Sequence, residues 1–446
     1  MLGLTIWDFI FAPFFIILFS YIAKRIRRRY ADDPQLQFYF VWGFRIKMAM
    51  VLAYSILSGS VIAGDQIVLY FGEGKHFAEL IKQDFNNISL LFTNGGSIID
   101  NIADEKGYLM YESNYMVVKI AIILCFFTAS KFMLMNIILG FIAFIGSWQL
   151  FLFFRTLYPH LQRFLAFAAM GIPTVVFWSS GINKETICMA SLGFLTKSLF
   201  DLFTYRKKVL MHSVLIVLAV YFISTIKSYI IFSYLPFYLF FLLIYTINQA
   251  GNPIFRILLK LTIPVTFVLF IVYIYANGQD FLAQYSTEKV MESVASNQKA
   301  FENQAMVDSG SYFTLGEFDG TIGSFLSMAP LSIITTFFRP FLWECKNLIM
   351  LLTSLEGMAL LFFTLRIIFI NGLLNFFRGL FTNSVILYCM CFSLLFAIFI
   401  GTSTFNFGSL ARYKIPCLPF FLSALIILQS YKASRKEARL NQEKSF

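Results

Sequence analysis

LTIWDFIFAPFFIILFSYIAKRIRRR, residues 4–29, is the stretch that decides the fold class. The run from Leu4 to Ala23 is almost wholly apolar and has the roughly twenty residues a helix needs to cross the hydrocarbon core of a bilayer. Asp8 stands near its start, while Lys24, Arg25, Arg27, Arg28 and Arg29 follow it. This is the reverse of the charge order in a cleaved secretory signal. The run is expected to be a retained span with its N-terminus outside and its basic end in the cytoplasm.

The rest of the chain has the same character. Of 446 residues, 59% are hydrophobic, 19% aromatic and 13% charged, against about 25% charged in an ordinary soluble domain. Further spans are expected near 48–63, 132–154, 164–180, 186–203, 209–224, 230–247, 261–276, 348–370, 382–400 and 415–429. The fold class is therefore all-α integral membrane, with about eleven spans. The net charge of +11 follows topology rather than marking a nucleic-acid partner. Its basic residues fall largely in the segments placed on the cytoplasmic side: residues 24–47, then Arg155 and Arg163, Arg206 to Lys208, Arg256 and Lys260, Arg366 and Arg378, and the basic tail 430–446.

Two long segments fall outside, about 64–131 and 277–347. The first carries two apolar stretches that are expected to lie in the outer interface. Met116–Ser130 is short and contains Lys119. In Ile67–Phe85, one helical face collects Ile67, Tyr70, Phe71, Ala78, Ile81 and Phe85, and the other Glu73, Lys75, Glu79 and Lys82. Together they predict a lipid-facing ledge.

The six cysteines sit mostly in apolar runs without metal-ligand spacing, and the three histidines are dispersed, so no metal site is assigned, although a divalent ion remains compatible with the chemistry below. There is no phosphate-binding glycine motif of the ATPase or dinucleotide kind. Inside the membrane, Glu356 is expected either to face a cavity or a partner or to pack as a protonated or hydrogen-bonded residue, and Lys197 and Asp201, one helical turn apart, are expected to neutralise each other.

The residues that draw functional interest are outer cations, because orientation bias works against them. Lys184, Lys227, Arg412 and Lys414 lie beside helix ends, and Arg339 lies in the aromatic segment Phe338-Arg339-Pro340-Phe341-Leu342-Trp343-Glu344. Each alone could snorkel to a headgroup phosphate. As a set they suit an anion at the membrane surface, such as a polyprenyl phosphate whose tail stays in the bilayer.

Carboxylates stand on the same side. Asp65 follows the second span, and Glu185 lies at the turn before the fifth. Sugar transfer from a lipid phosphate needs a base for the acceptor hydroxyl and cations for the leaving phosphate. Alternatively, Asp65 caps the interfacial helix, Glu185 pairs with Lys184 or caps its own helix, and Asp104-Glu105 is a solvated pair.

Architecture and motifs together resemble the GT-C superfamily of membrane glycosyltransferases. The likeness rests on Asp65 in the first large outer loop, Glu185 at the end of Pro173–Glu185, and Leu410-Ala411-Arg412-Tyr413-Lys414-Ile415-Pro416 opening the last span. Many members carry adjacent acids at the first position, whereas Asp65 is followed by Gln66. The resemblance implies Asp65 as base and Arg412 and Lys414 as donor-phosphate ligands. The expected function is transfer of a sugar from a polyprenyl-phosphate-linked donor to a glycan, lipid or protein acceptor, with Glu185 orienting substrate and Lys184 and Arg339 joining the phosphate site. Membrane lipids are the other expected partners, and compact loops favour a bacterial inner membrane. The competing functions are an O-antigen-type polymerase or ligase and a lipid-linked sugar flippase.

Overall fold

The computed structural model describes residues 3–60, 64–98, 108–248 and 311–443 apart from 317, 318 and 320, with short pieces at 295–296 and 298–299. Asp104-Glu105, the span expected at 261–276 and most of the polar run after it lie outside the described residues. The chain forms two compact units, Met1–Phe232 and Ser233–Phe446.

The first unit contains α1 (Ile6–Arg27), α2 (Pro34–Ser60), α3 (Gly74–Gln83, entered through a π-helix at Gln66–Glu73), α4 (Gly95–Ile98), α5 (Glu112–Thr128), α6 (Phe132–Leu157), α7 (Gln162–Met170), α8 (Pro173–Trp178), α9 (Lys184–Tyr205) and α10 (Val209–Asn248) as far as Phe232. The second contains the rest of α10, then α11 (Ile322–Phe338), α12 (Leu348–Asn371), α13 (Leu373–Thr382), α14 (Ser384–Ser403), α15 (Phe407–Tyr413) and α16 (Leu418–Glu443). Among the described residues, seven helices are long and apolar enough to cross a membrane, or eight if the bent pair Phe407–Tyr413 and Leu418–Ser430 is one span. The protein is an all-α, multi-pass membrane protein. Its lipid side is visible on α1, where Phe14, Ile17 and Tyr21 are exposed, a face that water would not tolerate at this density.

The span count differs from the sequence expectation for local reasons. The predicted span at 164–180 is two short helices, α7 and α8, because Gly171-Ile172-Pro173 interrupts the ladder. The spans at 209–224 and 230–247 are one 40-residue element broken at Lys227, whose φ of −148° and ψ of 73° are not helical. Helix α2 begins at Pro34, so Arg45 and Lys47 lie inside it rather than in a loop. The second long loop, 277–347, includes the apolar helix α11, which packs on α14 with Thr336 Oγ1 donating to Ala397 O at 2.9 Å.

In the first unit, α1, α6 and α9 begin at one end and α2 finishes there; that end is the rim. Asp8 ties the starts of α1 and α6, accepting from Thr5 N at 2.8 Å and Met133 N at 2.9 Å. The amphipathic helix at 66–83 is present, but its apolar face meets protein rather than lipid. Phe77 and Ile81 are buried, and the face packs on α5. The apolar side left open on this ledge is that of α5, with Ile123, Phe126 and Phe127 exposed.

The core is the α6–α9 crossing, where hydrocarbon offers no hydrophobic drive between helices and close backbone approach must supply the attraction. Gly146 and Gly193 permit it. A Cβ on Gly193 would lie 2.0 Å from Gly146 O. Gly193→Ala is expected to destabilise the protein by about 1–3 kcal/mol through overpacking, read as a lowered Tm. Gly96→Ala, which meets nothing within 4 Å, should leave Tm nearly unchanged.

Candidate functional site

The best-defined polar site of the first unit is the turn between α8 and α9, residues 179–183. Its backbone is fixed from several helices at once. Lys47, 4% exposed, donates from Nζ to Val176 O at 3.0 Å and to Ser179 O and Oγ, both at 2.6 Å. It thus satisfies carbonyls at the C-terminal end of α8 that no helical N–H reaches. Asn136 of α6 donates to Ser55 Oγ at 3.0 Å and accepts from Ile182 N at 2.9 Å. Asn183 caps α9 by accepting from Thr186 N at 3.0 Å, and its amide donates to Tyr54 OH at 3.1 Å and Trp178 O at 3.0 Å. Gly181 is required because a Cβ there would fall 1.8 Å from the Tyr54 ring.

This turn delivers Lys184 and Glu185. Lys184 donates to Ser113 Oγ, at the start of α5, at 2.9 Å. Glu185 is completely buried and pairs with Lys227 at 2.6 Å. The N-terminal turn of α9 favours the carboxylate. Lys227 is where α10 breaks, so the cation sits at an interruption of the helix. Asp65 occupies the N-cap position of the π-helix leading into α3 but makes no side-chain cap hydrogen bond; it is exposed at the rim.

In the second unit, Arg339 closes on the Glu344 carboxylate of its own loop, with Nε donating at 3.0 and 3.1 Å. Its guanidinium also lies 5.0 and 5.2 Å from the rings of Phe313 and Phe407, which stack on each other at 4.5 Å. The rings meet because residues 311–313 pair with 405–407, Phe313 N donating to Phe405 O at 3.0 Å and Phe407 N to Ser311 O at 2.9 Å. Partial burial pushes the Glu344 carboxyl up, but hydrogen bonds from Arg339 and Phe341 N–H and the Arg339 charge outweigh it and hold the group below its usual range. Arg412 ends α15 and is half-buried over Tyr413, whereas Lys414 is buried within electrostatic reach of Glu356.

Asp65, Lys184 and Glu185 therefore belong to one unit, and Arg339, Arg412 and Lys414 to the other. Lys197 and Asp201 do pair. No group of three His, Cys, Asp or Glu residues poised for a metal occurs among the described residues. Sequence reasoning missed Lys47 and Asn136, and it noted Lys227 without its link to Glu185. Lys47 carried a usable signal: a helix starting at Pro34 puts that lysine within an apolar span. No protein-family model, no curated protein and no solved structure matches the chain.

Lys227→Met leaves the Glu185 charge buried and uncompensated, and should cost about 3–5 kcal/mol, read as a fall in Tm. The Glu185→Gln/Lys227→Met double variant should recover most of it. Separately, a carboxyl held below its unfolded value contributes stability at neutral pH that disappears as pH falls through the depressed value. Acid titration followed by Trp343 fluorescence should show the Arg339 loop loosening below the ordinary carboxylate range, and Glu344→Gln should remove that transition.

Proposed function

We propose that the protein is an inverting membrane glycosyltransferase of the GT-C kind, moving a sugar from a polyprenyl-phosphate donor to a glycan, lipid or protein acceptor at the rim, on the outer face of a bacterial inner membrane. Asp65 takes the proton of the acceptor hydroxyl as its oxygen attacks the anomeric carbon. The bond from that carbon to the phosphate oxygen breaks, and polyprenyl phosphate leaves. The observation that carries the proposal is the exposed Asp65 carboxylate at the same end of the first unit as Lys184 and the braced turn before α9.

Within this scheme Glu185 has a changed role. A carboxylate with no exposed surface and a lysine at 2.6 Å acts by holding the turn and the α10 break in place, so Glu185 is a positioning residue rather than a proton carrier. Lys184, with its ammonium at the rim, is the first unit's cation for the donor phosphate. Arg339, Arg412 and Lys414 belong to the second unit, where Arg339 is closed on Glu344 and Lys414 is buried within electrostatic reach of Glu356.

The test uses purified full-length protein in detergent with a polyprenyl-phosphate sugar and an acceptor. Asp65→Asn should retain wild-type Tm and lower kcat by about 10²- to 10⁴-fold, the usual range for losing a general base. Unchanged turnover would remove Asp65 from the chemistry. A larger loss in Arg412→Ala than in Asp65→Asn would favour a polymerase or ligase working on a lipid-pyrophosphate glycan.

A further inference from the structure

Between the spans α12 and α14 the chain does not make a simple loop. Gly372, with φ of 74°, turns it into the ten-residue helix α13, LLNFFRGLFT, and Asn383 closes the segment by capping α14, accepting from Val385 N at 2.8 Å. The inserted helix packs on both spans it joins.

At about 100° per residue, the helix has three sides. Phe376 and Leu380 form the first and are buried; the helix packs on α12 and α14, and a Cβ on Gly379 would meet Leu428 of α16 at 2.4 Å. Leu373, Leu374, Phe377 and Phe381 form the second side, within roughly a quarter turn of one another, and are 61, 63, 52 and 75% exposed. Arg378, with Asn375, occupies the third. A buried side, an exposed apolar side and a polar edge thus follow one another around a single short helix.

The helix joins two candidate spans, and its exposed apolar residues come next in the chain after the exposed Phe369 and Ile370 of α12, which commits their occupant to the bilayer. Charge narrows that occupant further. Leu428 lies near the apolar end of α16, and the same helix continues through the segment bearing Lys432, Arg435, Lys436 and Arg439. On α13 itself the exposed Arg378 stands beside the apolar side, and a basic residue so placed matches an anionic headgroup.

We infer that α13 is an in-plane helix that seats Leu373, Leu374, Phe377 and Phe381 in the interface of one leaflet and recruits anionic phospholipid through Arg378. It is independent of any sugar transfer. The experiment places full-length Phe377→Trp protein in nanodiscs of brominated phosphatidylcholine or brominated phosphatidylglycerol at equal mole fraction, with wild-type protein supplying the background fluorescence. The added Trp emission should be quenched by both lipids and more strongly by phosphatidylglycerol, by roughly two- to fivefold. Adding Arg378→Ala should bring the two lipids level. Emission quenched by acrylamide but not by brominated lipid would overturn the inference, since the face would then meet water or another protein. Equal quenching by both lipids in the Arg378 protein would overturn anionic recognition.

Discussion

Glu185 and Lys227 are 42 residues apart in sequence and touch at 2.6 Å with almost no surface left to water. Removing two charges from water is expensive, and their mutual attraction seldom more than compensates. In a chain built of apolar helices such a pair fixes arrangement more than it adds stability. It joins the first turn of α9, whose start is set by the Asn183 cap, to the interruption in α10. The turn before α9 then has little freedom, because Lys47, Tyr54, Asn136 and Asn183 already hold its backbone.

The same economy of polar groups appears in the second unit by a different device. Arg339 is held between a carboxylate and two stacked rings, which spreads its charge over several weak acceptors. The guanidinium is thereby satisfied within its own unit, by one carboxylate and two ring faces. Lysine is used at the opposite extreme: Lys47 points its compact ammonium into helix-terminal carbonyls, where a planar guanidinium would not fit three acceptors converging on one atom.

The membrane class was fully legible in the sequence, because the Leu4–Ala23 run and the basic block after it leave few alternatives. Helix ends were less so. Hydropathy registers composition and is blind to path, which is why Gly171-Ile172-Pro173 passed unnoticed inside an apolar stretch and why Pro34–Lys47, diluted by Gln35, Gln37, Arg45 and Lys47, read as loop although the helix runs straight through it. The amphipathic pattern at 67–85 correctly showed a helix with one buried face, but periodicity cannot distinguish lipid from a neighbouring helix as the cover. The site was legible as a set of residue types. Which carboxylate would be exposed and which sealed against Lys227 depended on packing among α2, α6, α9 and α10, information that no local pattern contains.

Where Gly146 and Gly193 meet, the backbones of α6 and α9 lie in direct contact. For one helix to slide along the other, a carbonyl oxygen would have to climb over a neighbouring peptide, so the two behave mechanically as one strut. Motion within the first unit is thereby left to the elements around that strut: the lipid-facing α1 and the ledge of α3 and α5.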